Sequence, residues 1–325
     1  MSWDREVATA VDAVRLASRV CTAVQKRLVA GSALAKGDKS PVTVADFGAQ
    51  AIVSDLLARA LPHIPLIGEE DAAALRDPAN AALSAQVVDA VRSVLPDMDA
   101  ASILDAIDRG MASGGPKGAF WTLDPIDGTK GFLRQEQYAV ALALIVDGVV
   151  QIGVLGCPNL PSRAGGDGAI FVATRGGGAF ELPMDGPGRL TCRTNAGSDP
   201  ASHRFCESVE SGHTSQSESA IVAERLGITA EPIRMDSQAK YATVARGDAS
   251  IYLRLPTRKD YVERIWDHAA GAIVITEAGG RVTDTRGADL DFSCGRGLER
   301  NSGVVATNGP LHDRVVDAVR QVLGA

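Results

Sequence analysis

The sequence predicts a mixed α/β protein, and three observations carry that reading. Apolar residues recur at helical spacing near both ends of the chain. The middle alternates apolar, strand-like runs with tight glycine turns. A stretch rich in Gly, Pro, Ser, Asn and Asp, PMDGPGRLTCRTNAGSDPASH, interrupts the pattern near residue 200. At 325 residues the chain suits about two domains or one large layered one, and the interruption separates 1–200 from 201–325.

Val7, Val11, Val14, Ser18, Cys21 and Leu28 fall on one face of an opening amphipathic helix. A polar turn follows, then a short extended TVAD piece and a second helix from about Phe47. An apolar approach leads to Gly68-Glu69-Glu70. Between Asp77 and Asp108 one or two surface helices are expected, broken around Pro96. AVALALIVDGVVQIGVLG turns at Asp147-Gly148, a β-hairpin signal, and AIFVATRGGGAFEL repeats the pattern. The centre therefore reads as an antiparallel sheet. Beyond residue 200 an edge carries RMDSQAKYATVARGDASIYLRLP. A helix from about Asp267 to Ala278 stops at Gly279-Gly280, further strands follow, and HDRVVDAVRQVL forms the last helix.

Composition removes several function classes. Hydrophobic residues are 45% and charged residues 22%, ordinary for a globular chain, while aromatics at 4% leave packing to aliphatic side chains and close backbone contacts. The net charge of −7 and the absence of a basic stripe argue against a polymeric nucleic-acid partner. An anionic small substrate remains compatible, because bound cations invert a local potential. Five scattered cysteines without a CxxC pair support neither zinc nor a disulfide framework, and point to a reducing compartment. No apolar run is long enough to span a bilayer and the N-terminus carries acids, so a cytoplasmic location without membrane attachment is expected.

The chemistry concentrates in WTLDPIDGTKGF, residues 121–132. Asp124 and Asp127 flank a proline, and a Gly-Thr-Lys-Gly turn follows. Acidic oxygen ligands thus run into backbone able to meet an anion, a pairing of divalent metal with phosphate. Mg²⁺ takes oxygen ligands and keeps several waters, so a few carboxylates suffice: Glu69, Asp124, Asp127 and Asp267, with the Ile126 carbonyl between. Each position also has a plain reading. Asp46 suits a helix N-cap and Glu69-Glu70 a solvated pair. His213 suits an exposed loop, Ser237 a cap, Lys240 a helix surface, and Arg254 a structural ion pair. Trp121 and Trp266 read as packing anchors.

Taken together and in order, SPVTVAD, IGEE, DPIDGTKGF and WDHAAGAIVITEAGG resemble the lithium-sensitive, magnesium-dependent phosphatase superfamily of inositol monophosphatase and fructose-1,6-bisphosphatase. ALALIVDGVVQIGVLGCPNL, ESVESGH, DSQAKY and YLRLP are similar to its 3′(2′),5′-bisphosphate nucleotidase branch. The resemblance spans almost the whole chain. It implies a layered α/β/α/β/α sandwich, with most metal ligands in 1–200 and the nucleotide side completed by 201–325. It assigns Mg²⁺ to Glu69, Asp124, the Ile126 carbonyl, Asp127 and Asp267, and the attacking water to Asp46 and Thr129. Substrate is assigned to the backbone of Gly128 and Thr129 and to His213, Ser237, Lys240, Arg254 and Asp267. The implied reaction is hydrolysis of adenosine 3′,5′-bisphosphate to AMP and phosphate, with 3′-phosphoadenylyl sulfate as a further substrate. A monomer acting on a small bisphosphorylated nucleotide is expected, with lithium inhibition. Two other functions fit the chain: an inositol polyphosphate 1-phosphatase, separated by relative rates, and a non-catalytic nucleotide sensor, separated by binding without turnover.

Overall fold

The computed structural model of the chain describes residues 3–30, 40–209, 215–258 and 260–324. Two long helices open it, α1 (Asp4–Ala30) and α2 (Ser40–Ala60), packed on each other. The expected TVAD strand is instead part of α2. Pro41 falls in the first turn, where a missing N–H costs nothing, and Val44, Ala45 and Phe47 are buried. Burial of that face outweighs the β-propensity of a Val-Thr-Val run. Asp46 consequently lies inside α2, and the N-cap reading of it fails.

The short strand β1 (Leu66–Gly68) is followed by α3 (Ala73–Arg76), α4 (Ala81–Arg92) and α5 (Ala100–Asp108), the last two separated across Pro96 as expected. Five strands then follow: β2 (Ala119–Asp127), with α6 (Thr129–Leu133) after it, β3 (Ala139–Val146), β4 (Val149–Cys157), β5 (Ala169–Thr174) and β6 (Gly178–Pro183). With β7 (Leu190–Thr191) they form a seven-stranded sheet in sequence order, antiparallel except where β1 runs parallel to β2. The predicted hairpin is present: Asp147 and Gly148 have φ of 50° and 75°, as a type I′ turn requires.

After residue 200 come β8 (Phe205–Glu207), α7 (Gln216–Leu226), β9 (Ile233–Arg234), α8 (Ala239–Ala245), β10 (Ile251–Arg254), α9 (Ala269–Glu277), β11 (Arg281–Thr283), β12 (Val304–Thr307) and α10 (His312–Leu323). The second sheet has the order β11-β12-β10-β8-β9. YLRLP is therefore not on an edge; β10 is the central strand, paired on both sides, and AKYATVA is the buried helix α8.

Period-two alternation divides the strands between layers. Val140, Leu142 and Leu144 of β3 pack beneath α1 and α2, while Ala139, Ala141 and Ala143 face α8 and α9. Tyr252 and Ala306 of the second sheet meet the same α8/α9 layer from the other side, and Ile251, Leu253 and Val305 face α7 and α10. The layers are α/β/α/β/α. The central layer depends on small residues: a Cβ at Gly153 would stand 2.4 Å from Ile273, and one at Gly271 would strike the Tyr241 ring. That is how a chain poor in aromatics fills its core.

Candidate functional site

β1 and β2 bring the first acids together by register. Gly68 lies opposite Leu123, so one further step places Glu69 beside Asp124. Asp124 and Asp127 are three apart and would point to opposite faces of a regular strand. Here Asp124 pairs with Ala141 but Asp127 with Ala139, so β2 carries one extra residue in an irregularity that contains Pro125. Both aspartates consequently reach one cavity of ≈ 400 Å³. Ile126 points its side chain into the core under α1 and α2, which leaves its main chain for the cavity.

Asp267 arrives from the turn before α9 and lines the same cavity, as do Gly128, Thr129, Ser237, Lys240 and Arg254. Asp46 is not on the wall. It lies behind it, buried and close enough to Glu69, Glu70 and Asp124 for their charges to act on one another. His213 lies outside the described residues. A larger cleft of ≈ 800 Å³ beside α1 carries charges of mixed sign, and two of them, Arg19 and Asp185, already pair with each other.

The acids are held at electrostatic cost. Burial, then the charges of Glu69, Asp127, Asp267 and Asp46, raise the Asp124 pKa well above the ordinary value, and its Oδ1 is buried without a hydrogen-bond partner. Burial and the neighbouring Glu70 and Asp127 push Glu69 up to about 7. Burial likewise pushes Asp267 up to about 7, against the pull of Arg254 and His268. Asp46 is raised by burial and then by Glu70 and Glu69. An unpartnered buried carboxylate oxygen among mutually repelling carboxylates is a donor set suited to a hard, oxygen-seeking divalent cation.

The folded pKa values lie above the unfolded ones, so this penalty is absent below about pH 4 and grows as pH rises through about 7. Thermal melts in chelator are expected to give a melting temperature lower at pH 8 than at pH 5 by roughly 5 °C or more. Magnesium should recover more of it at pH 8, where the carboxylates are ionised. A chelated protein equally stable at both pH values would contradict this account.

On the opposite wall, Lys240 is not the surface lysine its helical setting allows. It is 4% exposed within α8, its Nζ donates to the Met235 carbonyl at 3.4 Å, and it stands 5.1 Å from the Tyr252 ring centre. Burial lowers its pKa and the charge of Asp127 opposes that. Arg254 is ion-paired, as its plain reading allowed: its guanidinium meets Glu263 at 2.8 Å and Asp267 at 3.4 Å. Glu263 also bonds His268, whose other ring nitrogen meets the Tyr241 hydroxyl at 2.7 Å. Glu263, Asp267 and His268 are near enough to share a cation. Arg254 and Tyr241 already satisfy Glu263 and His268, however, and only Asp267 of the three reaches the cavity.

Ser237 stands one residue before Gln238, the N-cap of α8, and its Oγ accepts from the Ala239 N–H at 3.1 Å in a local turn rather than a helix cap. It also adopts φ 68°, strained for a residue with a side chain, and its Cβ packs on Gly128, itself at φ 88°. A Cβ at Gly128 would stand 2.8 Å from that of Ser237, so the two turns interlock only with glycine there.

Further residues position the site without being among the ligands expected from the sequence. Gln238 donates its backbone N–H to Asp127 Oδ2, and its side chain bonds the Trp266 carbonyl and the Gly271 N–H. Gln50, fully buried in α2, bonds both the N–H and the carbonyl of Glu70 and the Ile107 carbonyl. Arg134 pairs with the buried Asp236 and with Glu136, so it braces the loop before Ser237. Arg296 donates to the Gly68 carbonyl at 2.6 Å and stacks 4.8 Å above the Trp266 ring. Two of them carried a signal: Gln238 lies inside DSQAKY, and Arg134 stands two residues past WTLDPIDGTKGF. Trp121 is wholly buried and Trp266 is 6% exposed, as packing anchors should be.

The chain that folds into these five layers, with acids gathered where β1 and β2 end, belongs to the inositol monophosphatase family, whose model matches residues 3–323. Among its relatives, a 3′(2′),5′-bisphosphate nucleotidase of Emericella nidulans is 43% identical, covering 99% of both chains. One from Oryza sativa is 44% identical over 98% of this chain and 94% of its own. One from Schizosaccharomyces pombe is 42% identical over 99% and 97%. Solved structures share the fold. Inositol monophosphatase from Anabaena superposes with TM-score 0.65 at 21% identity, covering 99% of this chain and 97% of its own. Mycobacterium tuberculosis SuhB gives 0.62 at 20%, covering 99% and 98%. No helix among the described residues is long and apolar enough to cross a membrane.

Proposed function

We propose that the chain is a magnesium-dependent phosphatase that removes the 3′-phosphate of adenosine 3′,5′-bisphosphate, giving AMP and phosphate. One observation carries this: a single cavity sets Glu69, Asp124, Asp127 and Asp267 against a buried lysine, Lys240. Carboxylates suit the cation side of a phosphoryl transfer, and a buried ammonium suits a second phosphate that is retained. The names of relatives at 42–44% identity support the same substrate class.

Glu69, Asp124, Asp127, Asp267 and the Ile126 carbonyl would hold Mg²⁺. When bound, it lowers the pKa of coordinated water and neutralises charge on the attacking and leaving oxygens. The chain's own contribution is placement. Thr129, on the cavity wall, orients the water, and Asp46, buried behind the wall, acts on it through Glu69. Backbone N–H groups at Gly128 and Thr129 receive phosphate oxygens through direct bonds, α6 being a single turn. Water oxygen bonds to phosphorus as the ester bond to O3′ breaks, without a phosphoenzyme. Residues 1–200 then form the unit bearing most metal ligands, and 201–325 complete the nucleotide side, with Ser237 beside the nucleotide. Arg254 is committed to Glu263 and Asp267, so Lys240 is the better partner for the 5′-phosphate. 3′-Phosphoadenylyl sulfate has the same 3′-phosphate and is a further substrate.

A turnover panel tests the reading: adenosine 3′,5′-bisphosphate, 3′-phosphoadenylyl sulfate, 3′-AMP and inositol 1,4-bisphosphate, each with magnesium. The nucleotide bisphosphate should show the highest kcat/KM. Lys240→Met should lower it by about 10²-fold, from loss of a charge-assisted bond, and affect 3′-AMP much less. A much faster inositol reaction would reassign the substrate, and binding without turnover would make the chain a sensor.

A further inference from the structure

Eight large apolar side chains are exposed among the described residues, and they are not scattered evenly. Leu133 and Tyr261 line the acid-bearing cavity, while Val209 and Val262 adjoin its lining residues Ser208 and Tyr261 in sequence. Tyr261 is 47% exposed and is the only exposed aromatic among the described residues. An apolar rim on a cavity whose floor is charged has no counterpart in the chemistry of phosphate or cation. It suits a ligand that is anionic at one end and flat and apolar at the other.

We infer that Tyr261, with Leu133, forms the surface on which the nucleobase of the substrate lies. The inference rests on the nucleotidase reading and deepens it, because it assigns the discrimination between a nucleotide and a phosphorylated polyol to two apolar side chains. A purine offers a π-face to an aromatic ring, and such stacking tolerates base identity. A polyol offers hydroxyls on every side and gains nothing there. The Tyr261 ring is held from one side: its hydroxyl accepts from Arg254 Nη2 at 3.4 Å, and the guanidinium carbon lies 6.0 Å from the ring centre. Arg254 is in turn fixed by Glu263 and Asp267, so the ring is referenced to the acid cluster.

The test is a ratio, kcat/KM for adenosine 3′,5′-bisphosphate divided by kcat/KM for ribose 3,5-bisphosphate, which keeps both phosphates and lacks the base. Any disturbance passed through Arg254 acts on both substrates and cancels. The parent should favour the nucleotide. Tyr261→Ala should lower the ratio about tenfold, the loss of one base–aromatic stack, and Tyr261→Phe should keep it. A ratio of one in the parent, an unchanged ratio in Tyr261→Ala, or Tyr261→Phe behaving as Tyr261→Ala would overturn the inference while leaving the phosphatase reading intact. A parent that releases phosphate from neither compound would overturn both.

Discussion

Asp124→Asn is expected to cut phosphate release by about 10³-fold or more while raising the melting temperature of the chelated protein. The two effects have one origin. Asp124 is 3% exposed and stands among Glu69, Asp127, Asp267 and Asp46. Its charge is therefore costly until a cation arrives. Asparagine keeps the shape and removes the charge, which relieves repulsion in the metal-free fold by roughly 2–4 °C in melting temperature at pH 8. On the proposed function the same change would also remove a ligand from the cation, and several kcal/mol of transition-state stabilisation correspond to about three decades in rate. With magnesium present the order of stability should reverse, the parent gaining more. Melts with chelator and with magnesium, beside a phosphate-release assay, give all three comparisons. A variant that retains turnover, or that melts lower in chelator, would show that Asp124 is not a cation ligand under electrostatic load.

The second large effect is on the fold. Arg254→Met should destabilise the protein by about 3–5 kcal/mol, because it leaves buried carboxylates without their cation. Glu263 is 5% exposed. Its burial acts to raise its pKa, yet the His268 hydrogen bond and charge and then Arg254 hold it below the ordinary value. Adding Glu263→Gln should recover part of the loss, and the non-additivity of a double-mutant cycle, read from denaturant midpoints, measures the coupling. Additive losses would mean that the ion pair is incidental. Activity should fall as well, since Arg254 also meets Asp267.

What could be read from the sequence follows from how the chemistry is distributed along it. Asp124, Asp127, Gly128 and Thr129 sit in one contiguous motif, Glu69 and Asp267 in two others, and all six line one cavity. The apolar runs of β3 to β5 announced the central sheet because both faces of those strands are largely buried, while β6 is buried on one face and half-buried on the other. Asp46 was ambiguous because a Val-Thr-Val run carries strand propensity, and packing of α2 on α1, α4, α5 and β2 makes it helical. Periodicity also cannot show that β2 carries an extra residue, although that residue is what turns Asp127 to the same side as Asp124. Long-range pairing was the other gap. Arg254 with Glu263, and Gln50 with the backbone of Glu70, are contacts between side chains and partners that no local pattern specifies.

Arg296 has a wider consequence. It joins the end of β1, where Glu69 begins, to Trp266, the neighbour of Asp267. The gap between acids contributed by different parts of the chain is thus gauged by a residue outside every recognisable motif. Substitutions in the loop around Gly295–Leu298 could retune affinity for cations of different radius while each acid stays unchanged, so proteins with identical motifs need not share a metal preference.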